Sequence, residues 1–290
     1  MSQLGPVAVL GATGQVGSAV VRGLSRRGLP VHAIARTVGP DRSATRNHVV
    51  PDWNESDLAT AFDGCASAFV MVPLTEDAEA LGQRVHAALE RAAVQRVVRL
   101  SVLGGVIDDG LALGRLHGAL DRDLMSRGCR PAILRPDSFM QNLLGSAASI
   151  AQGQLVNATG EGRMALIDAE DIGECAAALL AGDAAWPDHP MDLTGPELLS
   201  HDDIAVRIGR WLKRPVAYED LSPLALRGLL LEFGLPAFLA EIFSELAAWT
   251  RRADRAEQMS DAVPTLLGRP GRRLETFLDA HAASFSEPSP

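Results

Sequence analysis

The sequence predicts an α/β fold: a doubly wound parallel sheet with a smaller, mostly helical C-terminal lobe. Three observations carry this expectation. Short apolar runs alternate with longer segments of helical periodicity through the first half, the spacing of strands buried on both faces and joined by crossover helices. A glycine-rich turn separates the first strand from the first helix. After residue 150 the alternation loosens, and from Gly195 onward helical patterns dominate.

Taken in order, Val7 to Leu10 reads as the first strand. The helix from about Gln15 to Arg27 carries Val16, Ala19, Val20 and Leu24 on one face. Strands are predicted at Val31 to Ala35, around His48 to Val50, and at Ala68 to Val72, where Pro73 stops the run. A helix near Ser56 to Phe62 separates the last two. A helix from Asp77 to Ala93 precedes the strand Val97 to Leu100. A further helix, Gly114 to Ser126, leads to the strand Ala132 to Leu134. Beyond residue 150, short strands are expected at Leu155-Val156, near Met164 to Ile167 and at Met191 to Leu193. Asp171 is placed to cap an Ala-rich helix ending near Leu180. In the C-terminal lobe, Val216 to Tyr218 reads as a strand. Phe238, Ile242, Leu246 and Trp249 form a helical stripe expected to be mostly core, the remainder serving as a lid over the substrate, with Glu241 and Glu245 facing solvent. The domain division is therefore 1–150, with return segments near 164–195, and 196–290.

Gly11-Ala12-Thr13-Gly14-Gln15-Val16-Gly17 is a GxxGxxG turn between a strand and an amphipathic helix. In a Rossmann domain the first glycine allows the tight turn and the second lets backbone approach a pyrophosphate. The third permits close packing, and the helix N-terminus offers amide donors to the anion. These seven positions are the expected cofactor cradle. Sites that prefer NAD place an acidic residue at the end of the second strand, where it binds the ribose diol. Here that place is held by Arg36, whose guanidinium suits the 2′-phosphate of NADP(H), and Arg42 is placed to assist.

Composition narrows the partners. With 36 Asp and Glu against 27 Lys and Arg, the formal net charge is −9, which argues against nucleic acid. Cys65, Cys129 and Cys175 are isolated, which suggests free thiols in a reducing compartment and no metal site. No signal-peptide pattern precedes the first strand and no apolar run reaches membrane-spanning length. A soluble cytoplasmic protein with a small-molecule substrate is expected, with a protein partner or a homodimer also open.

The chain resembles the atypical short-chain dehydrogenases of the NmrA-like group. The fragments that carry the resemblance are VLGATGQVG (9–17), VVRLSVLGG (97–105), LHGALDRDLMSRGCRPAILRPDSFMQNLL (116–144), LIDAEDIGECAAALL (166–180), LTGPELLSHDDIA (193–205) and LLGRPGRRLETFLDAH (266–281). The resemblance implies a nucleotide-binding lobe, a small C-terminal lobe, and activities ranging from NAD(P)H-dependent quinone reduction to redox-sensing regulation. Ordinary short-chain dehydrogenases use a Tyr-x-x-x-Lys pair. The single tyrosine here, Tyr218, has no lysine four residues on, and the equivalent helix carries His117 and Asp121.

At i and i+4 these two share a helical face, so the Asp121 carboxylate can reach the His117 ring and would favour an imidazolium, a proton donor near neutral pH. A surface pair, or a pair that touches only the cofactor ribose, is the alternative. Ser101, at the end of its strand, is a candidate for binding a substrate carbonyl or for satisfying loop amides. Phe139 and Met140 suit a flat apolar substrate or the core, and Asn142 could orient such a substrate. Asp137 is a helix cap or an acid beside the substrate. The functional expectation is an NADPH-dependent reductase of a small apolar carbonyl, quinone or conjugated compound. The alternatives are a NADP(H)-binding redox sensor acting through a protein partner, and a cyclase or isomerase that keeps the nucleotide as structure.

Overall fold

A computed structural model describes residues 5–37, 44–104, 111–252 and 259–286. Arg42 lies outside the described residues. The chain divides into two units.

The first unit comprises 1–136, 169–193 and 261–270. Its strands are β1 (Val7–Leu10), β2 (Val31–Ala35), β3 (Arg46–Val49), β4 (Ser67–Val70), β5 (Arg96–Leu100), β6 (Arg130–Pro136) and, after an excursion, β9 (Met191–Leu193). They form one sheet in the order β3-β2-β1-β4-β5-β6-β9, with every neighbouring pair parallel. Strand order reverses between β1 and β4, the switch point of a doubly wound Rossmann fold. The runs Val7–Leu10 and Ser67–Val70 are buried at every position, which is why they read as continuous apolar stretches without alternation.

Crossovers are made by α1 (Gln15–Arg26), α2 (Glu55–Phe62), α3 (Ala78–Arg91), α4 (Ala112–Met125) and α6 (Ala169–Ala181), with α10 (Ala262–Leu267) added late. Asn54 caps α2 by accepting from the Asp57 amide at 3.0 Å. Small residues let α1 and α6 approach closely: a Cβ on Gly173 would come within 2.4 Å of the Ala19 Cβ. The crossing is edged by the ion pairs Arg22–Glu170, Arg26–Glu174 and Arg27–Asp183. Asp171 is not a cap, because α6 begins two residues earlier. The carboxylate is fully buried and accepts from Arg269 at 2.8 Å.

The second unit comprises 137–168, 194–260 and 271–290. The chain leaves the first unit at Pro136, ahead of the boundary near 150 expected from the sequence. The reason is local: Phe139 bridges Ile167, and the Asp137 carboxylate accepts from the Ser138 and Ala165 amides at 2.7 and 2.8 Å. Asp137 thus pins two loop segments together and caps no helix. A 3-10 turn (Met140–Ser146) is followed by α5 (Ala147–Ala151), β7 (Gln154–Asn157), β8 (Arg163–Met164), β10 (Leu199–Ser200), α7 (His201–Leu212) and β11 (Ala217–Asp220). β11 pairs in parallel with β7, and β10 runs antiparallel to β8, a strand pair the sequence did not suggest.

The helices α8 (Pro223–Glu232), α9 (Ala237–Arg251), α11 (Leu274–Ala280) and α12 (Ala282–Ser286) follow. The buried face of α9 is Ala240, Ser244, Ala247 and Thr250. The expected core stripe of Phe238, Ile242, Leu246 and Trp249 is only half buried. Close approach explains the reversal: Ser244 donates to the Pro223 carbonyl at 2.8 Å, and a Cβ on Gly162 would lie 2.0 Å from the Thr250 oxygen. Of the two acids on α9, Glu241 is exposed and paired with Arg227, while Glu245 is half buried. Among the described residues, no helix is long and apolar enough to cross a membrane.

Candidate functional site

The glycine turn sits at the C-terminal end of β1. The Gly11 amide donates to the Ile34 carbonyl at 2.9 Å, and Gly11 takes φ +76°, a conformation open to glycine. The Gly14 amide donates back to the Gly11 carbonyl at 2.9 Å, and Gly14 is the N-cap of α1. A Cβ on Gly14 would meet only that carbonyl, at 3.3 Å, and would otherwise occupy the opening over the turn. Gly17 is different. Its Cβ would lie 2.1 Å from the Gly11 oxygen, so it packs the helix on the turn itself. Thr13 and Gln15 are exposed beside this opening and Val16 anchors the helix in the core. First-turn amides of α1 lack intrahelical acceptors and, with the helix dipole, complete an anion cradle. The residues present therefore fit the pyrophosphate of a dinucleotide. Arg36, directly after β2, is exposed.

A second cluster lies at the C-terminal ends of β5 and β6, against α4. Arg99 and Ser101 are two apart on an extended segment, so both point to the α4 face. There they meet Asp121, and all three are buried. Arg99 Nη1 donates to Asp121 Oδ1. Ser101 Oγ donates to Asp121 Oδ2 at 2.9 Å, and Arg135 Nη2 approaches the same oxygen at 3.3 Å. Arg99 Nε and Nη2 and Arg135 Nε are buried without a partner among the described residues. Burial pulls the Arg99 guanidinium below its ordinary range, and Asp121 opposes that. Two guanidinium groups share one carboxylate, so the cluster carries surplus positive charge.

The expected His117–Asp121 hydrogen bond is not formed. The i,i+4 spacing does put both on one face, but charged guanidinium donors and the Ser101 hydroxyl fill the carboxylate. His117 Nδ1 is buried without a partner, and burial, with the Arg99 charge second, pushes the imidazole down to about 3. The ring is neutral at physiological pH, contrary to the imidazolium expected from the sequence. Arg99 is the residue that sequence reasoning missed. Its signal was a lone charge inside the apolar run Val97-Val98-Arg99-Leu100.

Phe139, Met140 and Asn142 lie in the second unit. Met140 is core, packed with Leu143, Ile150, Leu155 and Ile204; Phe139 is half buried and Asn142 exposed. Tyr218, also there, has its hydroxyl tied to the Thr159 amide at 3.1 Å and to Asp220 at 2.8 Å. Among the described residues, no group of three or more His, Cys, Asp or Glu is arranged to hold a metal ion. Cys65 and Cys175 are buried free thiols and Cys129 is half buried. Burial pushes Cys65 up to about 11.

A parallel sheet with this switch point and a glycine cradle at its first strand define a Rossmann-type dinucleotide-binding protein. Residues 11–182 match the model of the NAD(P)H-binding family. The chain belongs to that family, and NAD(P)H is its cofactor. Two curated relatives are similar over nearly their full length. NAD(P)H azoreductase of Xenophilus azovorans is 31% identical, covering 96% of this chain and 99% of that protein. The (4-alkanoyl-5-oxo-2,5-dihydrofuran-3-yl)methyl phosphate reductase of Streptomyces griseus is 29% identical, covering 97% and 99%. Among solved structures, the NADPH-dependent quinone oxidoreductase of Escherichia coli in complex with NADPH shares the fold, with a TM-score of 0.82, 22% identity, and coverage of 95% and 99%.

Proposed function

We propose that the protein is an NADPH-dependent reductase of a flat conjugated acceptor of the quinone or azo type. The observation that carries this reading is the buried cluster of Arg99, Arg135, Asp121 and Ser101 in the half of the sheet that follows the nucleotide-binding strands. Bound NADPH supplies a hydride. In this reading the chain contributes the pyrophosphate cradle of residues 11–17 and, from Arg36, the 2′-phosphate contact that favours NADP over NAD. The surplus positive charge of Arg99 and Arg135 stabilises the negative charge that an acceptor gains with the hydride. His117, held neutral, is a poor proton donor. That suits acceptors whose reduced form is a delocalised anion able to take its proton from water. The two relatives described above, reductases of an azo compound and of an oxo-dihydrofuran, fit this acceptor class.

The test is NADPH oxidation followed at its absorbance band with quinones, azo dyes, enones, imines and ketones. Turnover with quinones or azo dyes, and slower turnover with isolated ketones, is the expected result. Tight nucleotide binding with no turnover in any class would sink the reductase assignment.

A second reading, a NADP(H)-responsive regulator acting through a protein partner, has one observation in its favour. Leu224, in the first turn of α8, and Phe233, at its C-cap, are about three-quarters exposed, at 76% and 75%, and give this helix apolar surface at both ends.

A further inference from the structure

We propose that Arg99 is a positioning residue which, through Asp121, fixes the Ser101 hydroxyl as an acceptor for an N–H group of the bound nucleotide, the carboxamide of its nicotinamide ring. This rests on the reading that the nucleotide spans the sheet from the glycine cradle toward β5.

The argument is one of proton inventory. A carboxylate only accepts hydrogen bonds, and a serine hydroxyl has one proton and two lone pairs. Asp121 is held by Arg99 on Oδ1 and by Arg135 and Ser101 on Oδ2. The single Ser101 proton is thereby committed to Asp121 Oδ2. The Ser101 amide is also committed, to the Leu134 carbonyl at 2.7 Å. What Ser101 has left for a ligand is acceptor capacity, the opposite of the carbonyl-binding role its position first suggests. The carbonyl of a quinone and the N=N group of an azo acceptor carry no N–H or O–H before reduction, whereas the nicotinamide carboxamide carries two N–H donors. In a doubly wound sheet the strands beyond the switch point take the second half of a dinucleotide, and Ser101 ends one of them. Arg99 and Ser101 lie on the same side of the chain, so the cation and the hydroxyl it governs reach one carboxylate.

The test compares the dissociation constants of NADP and of its 3-acetylpyridine analogue, in which a methyl ketone replaces the carboxamide, by calorimetry. No turnover is needed. The ratio of the two constants in the wild type is set against that in three variants. In Ser101→Ala the acceptor is gone. In Asp121→Asn an amide N–H faces Ser101 and frees its proton, reversing its polarity with almost no change of shape. Both should shrink the preference for the carboxamide about five- to tenfold, the worth of one hydrogen bond. Arg99→Met should do the same and Arg99→Lys should restore part of the preference; if Arg99→Met does not fold, Asp121→Asn decides. A ratio unchanged in both Ser101→Ala and Asp121→Asn overturns the proposal. Failure of the wild type to bind either nucleotide overturns the reading beneath it.

Discussion

Gly17 and Gly11 are in backbone contact: a Cβ on Gly17 would come within 2.1 Å of the Gly11 carbonyl oxygen. The third glycine of the motif therefore holds the shape of the turn, while the second, Gly14, keeps its opening clear. The two should fail differently. Gly17→Ala is expected to lower both Tm and nucleotide affinity. Gly14→Val is expected to abolish nucleotide binding and leave the fold intact. Thermal unfolding and calorimetry on the pair check this, and unaltered binding by Gly14→Val would place the nucleotide elsewhere.

Cofactor choice should rest on Arg36, exposed where β2 ends. Replacing it with alanine is expected to weaken NADPH by about 1.5–3 kcal/mol, the worth of a charge-assisted contact. NADH binding should change little. Equal losses for both nucleotides, or a wild type that prefers NADH, would remove Arg36 from the site.

His117 should not titrate in the working range, because burial and Arg99 keep its pKa near 3. The rate of NADPH oxidation by His117→Ala is expected to keep the wild-type pH dependence between about pH 5 and 8, the range in which an ordinary imidazole changes charge. Loss of a rate-limiting limb in that range would restore an imidazolium to the chemistry.

Stability should fall in mild acid. His117 is pushed down to about 3, and His86 and His201 to about 4, each chiefly by burial. In the unfolded chain all three titrate near the ordinary value of 6.5. Below that pH the unfolded state binds protons that the folded state refuses, so stability rises with pH through this window. Their contribution is complete above about pH 6.5 and declines toward pH 4. Tm measured by scanning calorimetry should be flat above neutrality and drop below it, with a shallower drop in His201→Asn. A Tm constant down to pH 4 would contradict the buried neutral histidines.

Much of the first unit was legible because its signals are local. Val7–Leu10 and Val31–Ala35 are buried at every position and bounded by turn residues, and the glycine turn has a fixed spacing. The α9 stripe misled because periodicity reports that a helix is amphipathic without saying which face meets a close neighbour. There backbone approach selected Ala240, Ser244, Ala247 and Thr250 over the larger apolar side chains. The His117–Asp121 pairing misled for a related reason. Helical spacing finds neighbours along one element, whereas Arg99 and Arg135 come from β5 and β6 and outcompete a neutral ring. Arg99 was visible as a charge in a buried strand, but its partner could be found only in three dimensions.

The helix that follows the glycine turn has its main packing partner nearly 150 residues away: Arg22 meets Glu170 and Arg26 meets Glu174, each at a separation of 148. Loop closure over that span comes before any reward from the contact, which slows the assembly of such a sheet. On the ribosome, α1 emerges long before α6 exists to cover it, and its small-residue face at Ala19 and Gly23, which later meets Gly173 and Ala177, waits uncovered. A nascent chain released before α6 would expose that face. The glycine turn is thus encoded at the start of the chain but becomes a stable structure only late in synthesis, and the interval between is when this protein is most open to chaperones and to aggregation.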